Sequence, residues 1–166
     1  VLFQMMQYSD IIFGDQNEWE IASGVPHIPF EALDADYEID KEAYQKYFRK
    51  MHQLFPKCKK MVMAVRNQIA SSHHTLSGLL YDAVEDQLYT TRIYDIEPIV
   101  DPMGVGDAFI AAYIHAHQKW GDKNQYCLDF SLSASAIKNT VPGDQNLVTE
   151  EEIINNMTSS GGRIQR

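Results

Sequence analysis

The sequence is poor in cysteine, has no long apolar run and concentrates no positive charge. Its two cysteines, Cys58 and Cys127, fit no metal-ligand or redox spacing. They read as free thiols in or near the core. No stretch approaches the ~20 apolar residues that a membrane-spanning helix needs, so no membrane partner is expected. Lys and Arg total 14 against 23 Asp and Glu, a formal net charge of −9. Without a basic stripe, no nucleic-acid partner is expected. An anionic ligand must then be held locally, by backbone N–H groups or by single cations. The sequence opens without an initiator Met, and no signal peptide is visible in it. Its opening, "VLFQMMQYSD", reads as the end of a helix entering a strand, so an amino-terminal part is expected to precede Val1. The sequon Asn156-Met157-Thr158 is expected to stay unused in a cytoplasmic chain.

What is present suits one globular unit. The 166 residues are 45% hydrophobic and 22% charged, enough for a sizeable core. "DIIFGD" (10–15) reads as a buried strand, and "QNEWEIASG" (16–24) as a short helix closed by Gly24. Residues 25–40 carry two prolines and a run of acids, the mark of a solvated surface loop. In "KEAYQKYFRKMHQLF" (41–55), Tyr44, Tyr47, Phe48, Met51 and Phe55 recur at helical spacing, and Pro56 stops the helix. "KMVMAV" (60–65) is a second buried strand. "HTLSGLLYD" (74–82) and "DQLYTTRIYD" (86–95) read as an antiparallel hairpin. Residues 102–120 form a loop feeding a long helix, 125–140 a helix rich in Ala and Ser, and 149–157 a last helix. Thr149 and Glu152 make a capping box for that last helix, and the tail beyond it is expected to fray. This order predicts an α/β layered fold with a mainly parallel sheet and a hairpin at its edge. In such sheets ligands bind beyond the carboxyl ends of the strands.

"DPMGVGDAF" (101–109) lies at such a place, after "EPIV". Two close glycines cost backbone entropy, and a helix start ordinarily prefers Ser, Thr, Asp or Asn. The N–H groups of Gly104, Val105, Gly106 and Asp107 would point together from a helix N-terminus, an anion cradle without a Cβ in the way. Asp107 then makes sense as a base facing an attacking hydroxyl. Spacing alone also allows a tight turn followed by an ordinary first-turn acid. A left-handed backbone at Gly106 is one expectation. His73 and His74 are adjacent in a strand and point to opposite faces, and His115 and His117 diverge around a helix, so neither pair is read as a metal site.

The motif resembles the carboxy-terminal signature of the ribokinase-like (PfkB-type) carbohydrate kinases, whose usual form is Asp-Thr-x-Gly-Ala-Gly-Asp-x-Phe. Asp101, Gly104, Gly106, Asp107 and Phe109 match, while Pro102 replaces Thr and Val105 replaces Ala. Residues 71–82, 94–101 and 137–153 resemble 2-keto-3-deoxygluconate kinases in particular. The likeness covers nearly the whole chain but only the carboxy-terminal half of such a kinase. It implies a three-layer ribokinase-like fold whose amino-terminal sugar-binding and lid part is absent, ATP and Mg2+ as cofactors, and a sugar acid as substrate. It makes Asp107 the catalytic base, and Gly104, Val105, Gly106 and Asp107 the anion hole. "DQNE" (15–18) stands where the family has Asn-x-x-Glu, so Asp15 and Glu18 are implied to hold magnesium through water; a plain polar helix start is the other reading. Asn139 is the polar candidate for nucleotide binding, with adenine between the last two helices. The family's Thr-x-Gly stretch is "AVRNQ" here, so Arg66 either contacts phosphate in its stead or is solvated or salt-bridged. A homo-oligomer is left open.

Overall fold

The computed structural model describes residues 1–29, 35, 37–159 and 163–164. Part of the acidic loop, at 30–34 and 36, lies outside the described residues, as do 160–162 and 165–166. The elements run α1 (Leu2–Met6), β1 (Ile11–Gly14), α2 (Gln16–Ser23), α3 (Lys41–Leu54), β2 (Lys60–Ala70) and β3 (His73–Asp82). They continue with β4 (Gln87–Thr90), β5 (Tyr94–Ile96), α4 (Val105–Trp120), α5 (Asn124–Lys138), α6 (Glu150–Thr158) and β6 (Arg163–Ile164).

The strands form one sheet in the order β1-β2-β3-β5-β6, with β4 pairing the other half of β3 on the β5 side. Two ladders are parallel, β1 with β2 and β5 with β6; three are antiparallel, β2 with β3 and β3 with each of β4 and β5. The α/β layering is as expected, but the sheet is mixed rather than mainly parallel. The reason is the short connection at Ser71 and Ser72: it turns β2 directly back as β3, and a parallel return would need a crossover. The expected strand at 86–95 is two strands, interrupted where Thr91 leaves the ladder to bond Gly78 through both its N–H and its side chain. The tail does not simply fray, since Arg163 and Ile164 pair with Asp95 and Ile96.

Alternation along the central strands separates two cores. Met61, Met63, Val65, Leu79 and Tyr81 face α1, α2 and α3, while Val62, Leu76 and Leu80 face α4, α5 and α6. Both faces are therefore covered, giving three layers. On the first face Phe48 is fully buried, stacked on Tyr81 at 5.7 Å between ring centroids and edge-on to Trp19 at 5.7 Å. Burying a ring of this size contributes roughly 1.5–3 kcal/mol. On the second face α5 packs Ala134 and Ala136 with no exposure, and its serines bond neighbouring backbone: Ser131 to Phe109, Ser133 to Ile153, Ser135 to Val105. Small side chains with satisfied hydroxyls let α4 and α6 approach closely. Both cysteines are buried and unpaired, and burial pushes the Cys58 thiol up to about 11.

The capping box of α6 is present: Thr149 Oγ1 accepts from the Glu152 N–H, and the Glu152 carboxylate accepts from the Thr149 N–H. Thr149→Ala is expected to lower stability by about 1 kcal/mol, measurable as a shift in the denaturation midpoint. An unchanged midpoint would mean that packing of Ile153 alone holds the helix.

Candidate active site

The carboxyl end of β1 and the start of α4 meet on one side of the molecule. Helix α2 begins directly after Gly14 because Asp15 caps it: Asp15 Oδ1 accepts from the Glu18 N–H at 2.8 Å, and Glu18 Oε2 accepts from the Asp15 N–H at 3.0 Å. The polar-helix-start reading of these acids is thus realised in full. It does not exhaust them, since each carboxylate keeps a second oxygen. Gly14 is required by a close approach: a Cβ there would lie 2.2 Å from Trp19 Nε1.

At the other wall, Gly104 is the N-cap of α4 with φ +74°. The first helical bond runs from the Ala108 N–H to the Gly104 carbonyl. Among the described residues, the N–H groups of Gly104, Val105, Gly106 and Asp107 donate to no protein acceptor. They are the free donors of a helix start and carry the positive end of its dipole. The two glycines have different tasks. Gly104 adopts the left-handed backbone and lies so close to the return loop that a Cβ would fall 2.2 Å from the Asp144 carbonyl oxygen. Gly106 is helical, not left-handed, and a Cβ there would enter open space. That open space is where an anion could come up to the backbone.

Asp101 braces the turn. Its carboxylate accepts from the Met103 N–H at 2.9 Å and from the Gly143 N–H at 2.8 Å. These two bonds, the Met103 one foremost, hold its carboxyl below the usual range, and the charge of Lys138 adds a smaller pull. Sequence reasoning matched Asp101 to the motif but assigned it no task. Its position two residues before Met103 was the available signal, the spacing at which an aspartate side chain bonds the backbone ahead of it.

Between these walls lies a groove of about 400 Å³. It gathers Asp15, Glu18, Arg66, Val105, Gly106 and Asp107 from three separate places in the chain, and Leu76 and Ser135 also line it. Asp107 and Arg66 are both exposed. Among the described residues Arg66 makes no ion pair with a carboxylate. A second groove of about 430 Å³ flanks α4 on its other side and touches Gly104 and Asp107.

Asn139 is not brought to either groove. It is 2% exposed, donates through its side chain to the Ser135 carbonyl, and accepts the Val100 and Asp101 N–H groups on its own carbonyl. It supports the turn from behind. Ser133 of α5 bonds the Ile153 carbonyl and accepts from the Asn156 amide of α6, and the second groove opens beside these two helices, lined by Phe130, Val148, Glu150 and Ile153. The histidines diverge as expected. His73 bonds Asp95 at 2.5 Å, while His74 is buried on the opposite face. Among the described residues, no three His, Cys, Asp or Glu side chains cluster to hold a metal directly. The residues that are present fit magnesium held through its water shell, with Asp15 and Glu18 each offering an uncommitted oxygen. No described helix is long and apolar enough to cross a membrane.

No protein-family model and no curated protein matches the chain. Solved structures do match. The chain is similar to the 2-dehydro-3-deoxygluconokinase of Thermotoga maritima, with a TM-score of 0.81 and 26% identity over 96% of this chain and 44% of that one. It is similar to a PfkB family carbohydrate kinase from Listeria grayi, with a TM-score of 0.75 and 24% identity over 94% of this chain and 43% of that one. It is also similar to the ribokinase of Arabidopsis thaliana complexed with ribose and ATP, with a TM-score of 0.63 and 18% identity over 95% of this chain and 44% of that one. The fold is ribokinase-like, and the chain spans less than half the length of these proteins.

Proposed function

We propose that the chain is the carboxy-terminal, nucleotide-binding and catalytic part of an ATP-dependent carbohydrate kinase. The observation that carries this reading is the single groove that joins an open N–H turn, an exposed aspartate, an acid pair and an exposed arginine. These are the parts phosphoryl transfer requires: donors for growing negative charge, a proton acceptor, and groups that manage the phosphates and their metal. Asp107 takes the proton of the attacking hydroxyl as its oxygen bonds to the γ-phosphorus and ADP leaves. The N–H groups of Gly104, Val105, Gly106 and Asp107 hold the charge that builds on the phosphoryl oxygens. Arg66 faces the phosphates as the local cation that an acidic protein must supply. Asp15 and Glu18 would hold magnesium through water, and the ion would neutralise phosphate charge.

The sugar side of the site belongs to a further segment. The outer edge of β1 is unpaired among the described residues, and beside it Ile11, Phe13 and Ile110 are only half-buried and Ile114 is exposed. A strand added there would cover these side chains and wall the groove. The substrate proposed is 2-keto-3-deoxygluconate, phosphorylated on its primary hydroxyl to the 6-phosphate, by likeness to the Thermotoga maritima kinase. A cytoplasmic setting goes with ATP use and with two free thiols.

The test is ATP-dependent phosphorylation by the chain joined to its sugar-binding part, assayed with 2-keto-3-deoxygluconate, fructose and ribose. Turnover of the sugar acid well above the other two is expected. Preference for another sugar would revise the substrate, and no turnover of any would leave a nucleotide-binding module. The chain alone should bind Mg-ATP weakly, and a submicromolar Kd by calorimetry would show that the second half contributes little to the nucleotide site.

A further inference from the structure

Two lysines are buried among the described residues, and their surroundings differ. Lys60, 7% exposed, reaches the Asp122 carboxylate at 2.5 Å, the Asn124 side-chain oxygen at 2.7 Å and the Asp82 carboxylate at 3.8 Å. It is a lysine with its counter-charges around it. Lys138 has no exposure at all, and its Nζ donates to the Val141 carbonyl at 3.1 Å. No described carboxylate comes within ion-pair distance of it. An ammonium has three donors, and burying one without a paired anion is costly. Lys138 is the last residue of α5, so the helix dipole favours a cation there. The dipole does not require that the cation be buried.

Its position does suggest a task. Lys138 lies where α5 gives way to the loop that shapes the glycine turn. The next residue, Asn139, receives the Val100 and Asp101 N–H groups; Val141 receives the Lys138 ammonium; Gly143 donates to Asp101; and the Asp144 carbonyl lies against Gly104. These four contacts all lie within six residues of Lys138 and hold the turn from the side of the return loop.

We propose that Lys138 is a positioning residue for the phosphate cradle, which rests on the reading of the glycine turn as such a cradle. Its ammonium ties down the Val141 carbonyl and sets positive charge behind Asp101. Asp101 is thereby kept as a double acceptor for Met103 and Gly143. The 101–104 and 141–144 segments stay locked together, and the free N–H groups of the turn keep one direction. The same charge, shielded from water, adds attraction for an anion bound in front of the turn.

The chain as it stands can be tested with inorganic pyrophosphate as the probe, titrated by calorimetry, and with the amide NMR signals of Met103, Gly104 and Gly143. Lys138→Met keeps length and removes charge. All three amide signals should move, and pyrophosphate should bind roughly tenfold more weakly, the scale of one partly shielded charge. The melting temperature should hold or rise, since an apolar side chain suits a buried site. Asp101→Asn should weaken pyrophosphate similarly, and adding Lys138→Met to it should cost little more, because both act on one loop contact. Unmoved amide signals with unchanged affinity in Lys138→Met would overturn the proposal, and so would fully additive losses. If Lys138→Met does not fold, Asp101→Asn decides, and unchanged Met103 and Gly143 signals with unchanged affinity overturn it. A wild-type chain that binds no pyrophosphate, while the Lys138→Met amides still move, would sink the cradle reading and leave Lys138 as the holder of the loop.

Discussion

Asp107→Asn, in the protein completed by its sugar-binding part, is expected to lower kcat by about 10²–10⁴-fold, roughly 3–5 kcal/mol of barrier, with nucleotide affinity nearly unchanged. Asp107 is in the first turn of α4, and no side-chain cap bond holds that helix start. Its carboxylate contributes at most the first-turn dipole interaction, about 0.3–1 kcal/mol, and asparagine of equal size leaves the turn as it is. What asparagine cannot do is accept the hydroxyl proton. Removing a negative charge beside the phosphates could only favour ATP. The measurement is kcat for 2-keto-3-deoxygluconate with Mg-ATP, paired with a direct nucleotide Kd. A variant that keeps more than about a tenth of the wild-type rate falls outside the general-base range and would reduce Asp107 to a first-turn acid.

Substituting the two glycines of the turn should give opposite patterns. Gly104→Ala places a methyl 2.2 Å from a backbone oxygen, at a residue whose φ is +74°. The left-handed backbone alone costs roughly 1–2 kcal/mol for a residue with a Cβ, and the return loop must also shift, so a loss of about 2–4 kcal/mol is expected. That should appear as a lowered melting temperature with the ligand absent. Gly106→Val should leave the melting temperature near wild type, because its backbone is helical and its Cβ meets nothing within 4 Å. The valine side chain would then stand in the space in front of the N–H groups and abolish pyrophosphate binding and turnover. Thermal melts and anion titrations on both variants separate the two tasks. A stable Gly104→Ala with an unfolded Gly106→Val would reverse the assignment made from the backbone.

Much of the local structure is legible in the sequence because it depends on near neighbours. The capping boxes at Asp15 and Thr149 need residues three apart, and the left-handed close of α2 at Gly24 needs only a glycine after the last turn. The apolar faces of α3 and β2 follow from spacing. So does the glycine turn at 104–107, with the refinement that Gly104 and not Gly106 bears the left-handed backbone. Periodicity records which side chains are buried but not which strand lies alongside. The antiparallel hairpin of 74–82 with 86–95 was legible, but the antiparallel return of β2 as β3, the break of 86–95 into two strands and the pairing of Arg163 and Ile164 with β5 escaped it. Asn139 shows the same limit at the site, since a polar side chain in a promising stretch has the same letter whether it faces a ligand or a carbonyl.

By itself, the sequence determined the helices, their caps, the free N–H turn and the chemical types at the site, because each rests on bonds within a few residues. Only the tertiary structure decided that Asp15, Glu18, Arg66 and Asp107 share one groove, and that the loop after Lys138 folds back to brace the turn. Those outcomes depend on the parallel pairing of β1 with β2 and on the close packing of α4 against α5, contacts between segments far apart in the chain whose geometry no local pattern encodes.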